Sequence, residues 1–588
     1  MYRKELGLPI GALAALALLL GACSTGDRVT GVQQQPGTGT PCAGGNAVTL
    51  GTLQGVRLDC SSGTTVTLPN ASGNFLIVPN LAVGDVPIRS VSYVIGAQGG
   101  GAAASVAPAA SVSALLGAPE ALLRAWASAP PAGPGRPQRA FDAALRARAR
   151  RNLSAGTWSA AALRGLRASV SAAVPPVGSL RQFHVVSTLD TVRVKYARVT
   201  AQLQYVGTSI LIYVDTASPA GGFSSAQLAN FGQTFDQVLY PIDLSTFGSP
   251  SDIDQNGHLI MLLSPVVNGL TSRSDCATQG YIAGFFDGVD LVSRDTVSNQ
   301  GEVFYALAPD PNGAVSCAHP ATVLEDELGA TFLHEVQHLI NFSEHVVVRN
   351  GDQEEGWLDE GESLVAEELG ARYYEAKYPP PTGRSNPLQL FPDSAEGYIS
   401  GDLVTSYSYL LRTDTSTLTL HTDADGGLNW RGGDWLLLRY LGDRKGNQFF
   451  AALDQSAITG IANIQAAAGA SFDELFGDFS VALYTDSVPG VARSQIPSQY
   501  RFSSRNLRQL FAAYYRVAGG SSDVPFPFPV QPRSLPATGT LAGTILPGTM
   551  GFFSVAGTGG SLTITFATPS GTALPANLHA QLSIFRLP

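Results

Sequence analysis

The chain has 588 residues, too many for one ordinary hydrophobic core, so the length predicts several structural units. It carries 46 Asp and Glu against 36 Lys and Arg, a formal net charge of −10, which argues against a nucleic-acid-binding protein that must neutralise phosphates. With 64 Gly, 37 Pro and 44% hydrophobic residues, the composition favours an extracytoplasmic protein rich in short strands and loops.

Residues 1–22 predict a signal peptide. Two basic residues precede an apolar run from Leu8 to Leu20, which is short for a membrane span and typical of an export signal. The next residue is Cys23, and the tetrapeptide LGAC resembles the lipobox of bacterial lipoproteins, in which this cysteine is acylated. The resemblance implies a lipoprotein anchored by acyl chains to a membrane, at the outer membrane or cell surface. A plain secretory signal is the alternative.

The remaining cysteines are even in number, as expected for disulfides in an oxidising compartment. We favour Cys42 with Cys60 and Cys276 with Cys317, because each pair then lies within one predicted domain. A free-thiol or metal role is disfavoured because no CxxC spacing occurs.

Composition and periodicity divide the rest of the chain. We predict a tether at 23–45, a small β domain at 46–98, an Ala/Arg-rich linker or propeptide at 99–178, an α+β domain at 180–515, a stiff Pro-rich linker at 516–536 and a second small β domain at 537–588.

The α+β domain starts with strands and ends with helices. Alternating or continuous apolar runs predict strands in FHVVSTL, VRVKYARVTAQLQYV, SILIYVD and HLIMLL, with a helix in SSAQLANFGQTFDQVL. Further on, apolar residues recur at helical spacing around residues 332–340, 358–369 and 435–441.

The stretch TFLHEVQHLINF contains the motif H-E-x-x-H. On a helix, His334 and His338 lie one above the other and can direct two imidazoles at one point. Zinc accepts imidazole nitrogens, and Glu335 fits the role of a base that takes a proton from water. The alternative is an exposed helix with solvated His and Glu, but the apolar flanks predict a buried helix whose polar groups need partners.

A second helix is predicted in WLDEGESLVAEELGARYYE. A metzincin would need Gly at 341 and His at 344, where this chain has Asn341 and Glu344, so that class is set aside. The segment instead resembles the W-L-N-E-G stretch of gluzincins, whose glutamate is the third zinc ligand, and this implies Glu360 as ligand. Asp359 stands where Asn is usual, and it and Glu367 are candidates for orienting the ligand histidines. A purely structural acidic helix start is the alternative.

Together, HEVQHLINF, WLDEGESLVAEEL and GGDWLLLRYLGD, preceded by GYIAGFFDGVDL and SDIDQNGHLIMLL, resemble the hyicolysin family of neutral zinc metalloproteases over roughly 180–515. The resemblance implies a thermolysin-like zincin domain and endopeptidase activity on proteins or peptides. It does not extend to the flanking all-β domains.

One stretch departs from the aminopeptidase type of gluzincin. There a Tyr three residues before a Gly stabilises the oxyanion, and if Gly433 is that Gly, this chain has Trp430. An indole N–H donates a hydrogen bond but does not act as a phenol does. The other candidates for this role are Tyr407, Tyr409, His421 and Arg431.

Residues 252–257, DIDQNG, match the front half of a calcium loop, but the twelfth position is Leu263, so this is not an EF-hand. We favour a hairpin turn before HLIMLL over a calcium site.

The sequence thus predicts a lipid-anchored zinc endopeptidase with a protein or peptide substrate and no nucleic-acid partner. Two alternatives stay open. One is an aminopeptidase of the same zinc class, for which no motif binding a substrate's terminal amine is found. The other is a non-catalytic surface-binding lipoprotein that retains the zincin fold, to which Trp430 points.

Overall fold

The computed structural model describes residues 40–43, 46–84, 86, 90–101, 135–159, 173–189, 194–293, 295–378, 393–419, 429–536 and 538–588. The predicted signal peptide, the lipidation residue Cys23 and the oxyanion candidate His421 lie outside these residues.

The strands are, in chain order, β1 (Thr40–Pro41), β2 (Gly55–Asp59), β3 (Thr65–Leu68), β4 (Ser72–Leu81), β5 (Val91–Gln98), β6 (Gly100–Gly101), β7 (Leu180–Leu189), β8 (Val194–Val206), β9 (Ile210–Asp215), β10 (Leu259–Ser264), β11 (Gly284–Phe286), β12 (Val303–Leu307), β13 (Arg533–Ser534), β14 (Thr540–Ile545), β15 (Phe553–Thr558), β16 (Leu562–Ala567) and β17 (Ala580–Arg586).

The α-helices are α1 (Arg136–Ser154), α2 (Ser225–Thr234), α3 (Tyr240–Thr246), α4 (Pro265–Asn268), α5 (Arg273–Gln279), α6 (Ala321–Phe342), α7 (Gly356–Lys377), α8 (Asp393–Leu410), α9 (Asn429–Lys445), α10 (Gln448–Asp454), α11 (Gly460–Ala468), α12 (Phe472–Thr485) and α13 (Leu507–Ala518). Wider π-helical turns continue α2 at Phe235–Leu239 and α6 at Ser343–Val348. Among the helices that the structure describes, none has the length and apolar composition needed to cross a bilayer.

Strands from the two β-rich segments form one β-sandwich. One sheet has the order β1-β2-β17-β4-β15-β13, with β6 also paired to β15, and the other has the order β14-β5-β16-β3. Side chains from both sheets, including Ile77, Ile95, Val555 and Ile584, are fully buried in a shared core. The predicted disulfide Cys42–Cys60 lies in this sandwich and is confirmed.

This pairing corrects the prediction of two separate β domains at 46–98 and 537–588. The register places Ile77 of β4 opposite Ile584 on one side and Phe553 on the other. Alternating apolar residues identify a strand and its buried face, but they do not identify its partner strand. The sequence therefore predicts two β segments but does not indicate that they form one unit.

The middle of the chain contains a six-stranded sheet in the order β11-β12-β10-β9-β8-β7. The central strand β10 is parallel to both β9 and β12 and is buried along its length, which explains its continuous apolar sequence. The strands predicted around 183–189, 192–206, 209–215 and 258–263 are confirmed, as is the helix predicted at 224–239.

Helices pack on this sheet to form a mixed α+β unit. Phe332 of α6 stacks on Phe235, with 4.3 Å between ring centroids, and α6 contacts both α7 and the edge strand β11. Helix α7 also contacts α8 and α9. The helices α6 and α7, which carry the predicted ligands, therefore lie between the sheet and the remaining helices.

Two predicted linkers pack against this unit. In 516–536, Phe528 and Val530 are buried, and the Tyr407 hydroxyl donates a 2.6 Å hydrogen bond to the Phe526 carbonyl, so this segment is not a free spacer. In the predicted linker or propeptide at 99–178, α1 packs against the edge strand β11, with 4.9 Å between the ring centroids of Phe141 and Phe285.

Candidate metal centre

His334, His338 and Glu360 bring three ligand atoms together, all within 4.8 Å of one another. The Nε2 atom of His334 is 3.6 Å from one carboxylate oxygen of Glu360, and Nε2 of His338 is 3.8 Å from the other. Ligand atoms around a tetrahedral zinc ion lie about 3.4 Å apart. The spacing of these buried side chains therefore fits a zinc ion.

Close helix packing produces this arrangement. The two histidines are one turn apart on α6, and Glu360 lies in the first turn of α7. A Cβ atom at Gly370 of α7 would lie 2.6 Å from a methyl carbon of Leu333, and one at Gly361 would lie 2.8 Å from Leu438 of α9. Glycine at these positions therefore lets α7 approach both neighbours closely.

A carboxylate orients each histidine. Nδ1 of His334 lies 2.7 Å from an oxygen of Glu367, and Nδ1 of His338 lies 2.9 Å from an oxygen of Asp359. Because an ionised carboxylate only accepts, Nδ1 of each ring carries the proton and donates it. Each Nε2 then faces Glu360, and in the neutral ring its lone pair is available to a metal.

Glu335 lies beside this group, on the side of the sheet edge. Its carboxylate accepts a 3.1 Å hydrogen bond from the backbone N–H of Phe286, the last residue of β11. Burial raises the pKa of Glu335 to about 7, although the neighbouring His334 and His338 act in the opposite direction. A carboxylate with a pKa near neutrality suits proton transfer at neutral pH.

Two arginines contact the carboxylate of Glu360. The guanidinium of Arg146 pairs with one oxygen, and Arg431 Nη2 lies 2.7 Å from the other. Burial favours the neutral acid, but Arg146 and Arg431 hold the pKa of Glu360 well below its ordinary value. Glu360 is therefore ionised, as a metal ligand must be.

Sequence reasoning did not assign Arg146 or Asp142 to the site. Both belong to α1, and Asp142 lies 3.1 Å from Arg431, so α1 contacts the same charge cluster as α7 and α9. Arg146 stands in a run of arginines whose spacing gives no sign of which one enters a distant site. No signal in the sequence distinguishes it.

The oxyanion candidates lie in different places. Tyr409 is fully buried and packs where a Cβ at Gly433 would lie, and its hydroxyl has no hydrogen-bonding partner among the described residues. Trp430 has its ring centroid 5.6 Å from the Arg431 guanidinium carbon. Tyr407 bonds to the Phe526 backbone. Among the oxyanion candidates that the structure describes, Arg431 is the one that reaches Glu360.

A second acidic group contains Asp252, Asp254 and Glu302, whose ligand atoms also lie within 4.8 Å of one another. Glu302 accepts a hydrogen bond from the Ile253 backbone, and burial raises its pKa to about 8, so calcium there stays a prediction. The hairpin turn favoured for 252–257 is wrong, because β10 pairs in parallel with both neighbours.

The second predicted disulfide, Cys276–Cys317, is confirmed. His319 lies near both sulfur atoms, 3.7 Å from Cys276 Sγ and 3.5 Å from Cys317 Sγ. Because these sulfurs are bonded to each other, they do not provide the thiolates that bind a metal.

No protein-family model matches the chain. The chain is similar to the neutral metalloprotease ShpI of Staphylococcus hyicus, with 27% identity over 179 residues. The match covers 29% of this chain and 36% of that protein. The chain thus matches only about a third of the length of this relative.

Proposed function

We propose that this protein is a zinc-dependent endopeptidase of the gluzincin type, with a thermolysin-like catalytic domain related to the hyicolysin family. The observation that carries the proposal is the group formed by His334, His338 and Glu360, with Glu335 beside it. The similarity to the neutral metalloprotease ShpI supports a metal-dependent protease.

The residues present fit the reaction. A bound zinc ion supplies a Lewis acid that polarises the peptide carbonyl and lowers the pKa of water. Glu335 accepts the proton of the attacking water and passes it to the leaving amine nitrogen. Glu367 and Asp359 keep the protons of the two imidazoles on Nδ1, so that both Nε2 atoms stay directed inward.

We propose an endopeptidase and not an aminopeptidase because of the resemblance to the hyicolysin family. Leu145 and Arg146 of α1 line the cavity at the metal centre together with Glu335 and Phe286. The chain continues past both ends of α1, through Gly135 on one side and Trp158 on the other. The cavity is thus bordered by a helix from inside the chain, next to the proposed base Glu335.

The alternative function, a non-catalytic binding protein, is suggested by Trp430, which stands where a tyrosine would be expected. Arg431, beside Trp430, directs a cation at Glu360, and this supports a role for Arg431 in stabilising negative charge on the substrate.

The proposal of a membrane anchor is separate from the proposed chemistry. The lipobox-like sequence before Cys23 supports a membrane-bound lipoprotein outside the cytoplasm.

The test uses the full chain with a small molar excess of zinc. We expect about one zinc per chain by metal analysis, and cleavage of a denatured protein at internal bonds, identified by sequencing the products. Glu335→Gln keeps the three ligands and should retain zinc while hydrolysis falls by about 10² to 10⁴. Unchanged hydrolysis in this variant would exclude the proposed mechanism, and release of single terminal residues would favour the aminopeptidase.

A further inference from the structure

The guanidinium of Arg146 occupies atoms that the proposed zinc site needs. Its Nη2 atom pairs with a carboxylate oxygen of Glu360 and lies 3.2 Å from Nε2 of His338. Its Nε atom donates a 3.0 Å hydrogen bond to Asp359. Arg146 thus contacts two of the three ligands and the carboxylate that orients one of them.

A metal ion and this guanidinium cannot both use these atoms. Nδ1 of His338 carries the ring proton toward Asp359, so Nε2 has a single lone pair. When Arg146 donates a hydrogen bond to that lone pair, the lone pair is not available to a metal. Two cations in contact with the same carboxylate oxygen of Glu360 also repel each other in a buried site.

Several other contacts hold α1 in this position. The side-chain amide of Gln138 accepts a 2.8 Å hydrogen bond from the backbone N–H of Ala283 and donates a 2.9 Å bond to the Gly284 carbonyl. It therefore satisfies backbone groups at the edge of the sheet, where β11 has a neighbouring strand on one side only. Arg148 pairs with Asp287 at 3.0 Å.

Arg146 does not leave the site easily on its own. Its side chain is 11% exposed and has carboxylate partners on α7, so turning it away within the docked helix would leave a buried, unpaired charge. Its withdrawal therefore requires α1 to move away from the cleft.

We infer that α1 is a built-in competitor of the metal: docking of α1 and binding of zinc exclude each other, and the docked form is latent. This inference rests on the proposed zinc site. By linkage, zinc must weaken α1 docking by the same factor by which docking weakens zinc binding. Zinc supply or a cut that frees α1 would each activate the protein.

The experiment measures zinc affinity by competition with a chelator in four full chains. They are the wild type, Arg146→Ala, Gln138→Ala and Arg151→Ala. Gln138 is on α1 and bonds to the sheet edge and, at 2.8 Å, to Asp142, so its removal loosens docking without removing a charge or a direct contact of the three proposed ligands. Arg151 is exposed on the same helix and serves as the matched control.

We expect zinc to bind about tenfold to hundredfold tighter in Arg146→Ala, the factor for losing a hydrogen bond to a charged group. In Gln138→Ala we expect zinc to bind about threefold to tenfold tighter than in the wild type. In Arg151→Ala we expect no change in zinc affinity. Hydrogen exchange in the wild type should show faster exchange of α1 amides when zinc is added, with β9 and β10 protected in every chain as evidence of folding.

Unchanged exchange of α1 on zinc addition, or zinc affinity in Gln138→Ala equal to that of the wild type, would overturn the inference. This outcome differs from failure of the proposed function. If zinc binds and α1 is released but no peptide bond is cleaved, the competition stands and the endopeptidase proposal fails. If zinc binds to none of the four chains, the metal site and the inference fall together.

Discussion

The Nδ1 atom of His334 lies 2.7 Å from a carboxylate oxygen of Glu367 on the neighbouring helix α7. Although burial disfavours the charged ring, this hydrogen bond and the surrounding carboxylates raise the pKa of His334 to about 9 in the metal-free protein. Glu367 therefore controls both the proton position and the orientation of a proposed zinc ligand.

We predict that Glu367→Ala weakens zinc binding by about tenfold to hundredfold, the usual effect of removing a carboxylate that supports a ligand histidine. Metal titration with a competing chelator measures this. Glu375→Ala, on the same helix, removes an ion pair with Arg505 instead and should leave zinc affinity unchanged. Equal losses in both variants would indicate a general effect on α7.

Glu335 and Glu360 are both carboxylates with different proposed roles, and substitution separates them. Glu360→Ala removes a ligand, so zinc content falls and activity partly returns when zinc is added in excess. Glu335→Gln retains zinc and gains no activity from added zinc. Metal analysis and hydrolysis assays on both variants decide the question. Equal zinc content and equal activity in the two would direct the search for the third ligand to Glu354, Glu355 or Glu362.

We predict that Asp243, which lies away from the metal centre, makes the free energy of unfolding depend on pH. It is fully buried, neither carboxylate oxygen has a hydrogen-bonding partner among the described residues, and burial together with Asp454 raises its pKa well above the ordinary value. Between the ordinary and the raised pKa, the folded state keeps a proton that the unfolded state has lost. The free energy of unfolding therefore falls as pH rises through this window.

Asp243→Asn removes this cost, so its melting temperature relative to the wild type should increase from pH 5 to pH 8. Thermal unfolding at the two pH values measures the difference. Asp523→Asn, at an exposed position, should show no such trend. A constant difference between Asp243→Asn and the wild type would mean that Asp243 is ionised in the folded protein.

The anchoring proposal predicts that Cys23→Ser releases the protein from membranes, because acylation needs the thiol. Fractionation of cells into membrane and soluble material measures this, with detergent extraction of the wild type as the control. Sedimentation of the variant with membranes, while a soluble marker does not sediment, would contradict the lipoprotein assignment.

The sequence predicts the metal centre better than the surrounding contacts, because the residues that form its motifs lie close together in the chain. Helical spacing places His334 one turn from His338, and the buried apolar neighbours mark the helix as internal. Glu360 came from a motif resemblance to gluzincins, and the structure places it at the same point.

Contacts between distant segments were not predictable in the same way. Arg146 reaches Glu360 from α1, and nothing in a basic amphipathic pattern specifies which surface it covers. The pairing of β4 with β15 and β17 was missed for the same reason. Periodicity reports which face of a segment is buried, while the identity of the covering segment depends on the whole fold.

The two neighbours of strand β4, β15 and β17, follow the whole α+β unit in the chain. During synthesis β4 therefore has neither of its partner strands until the α+β unit and the later strands have been made. A chain cut after α13 would keep the proposed metal ligands but leave both edges of β4 open to pairing with other chains. Strand β4 thus gains both of its neighbours only when synthesis has passed β17.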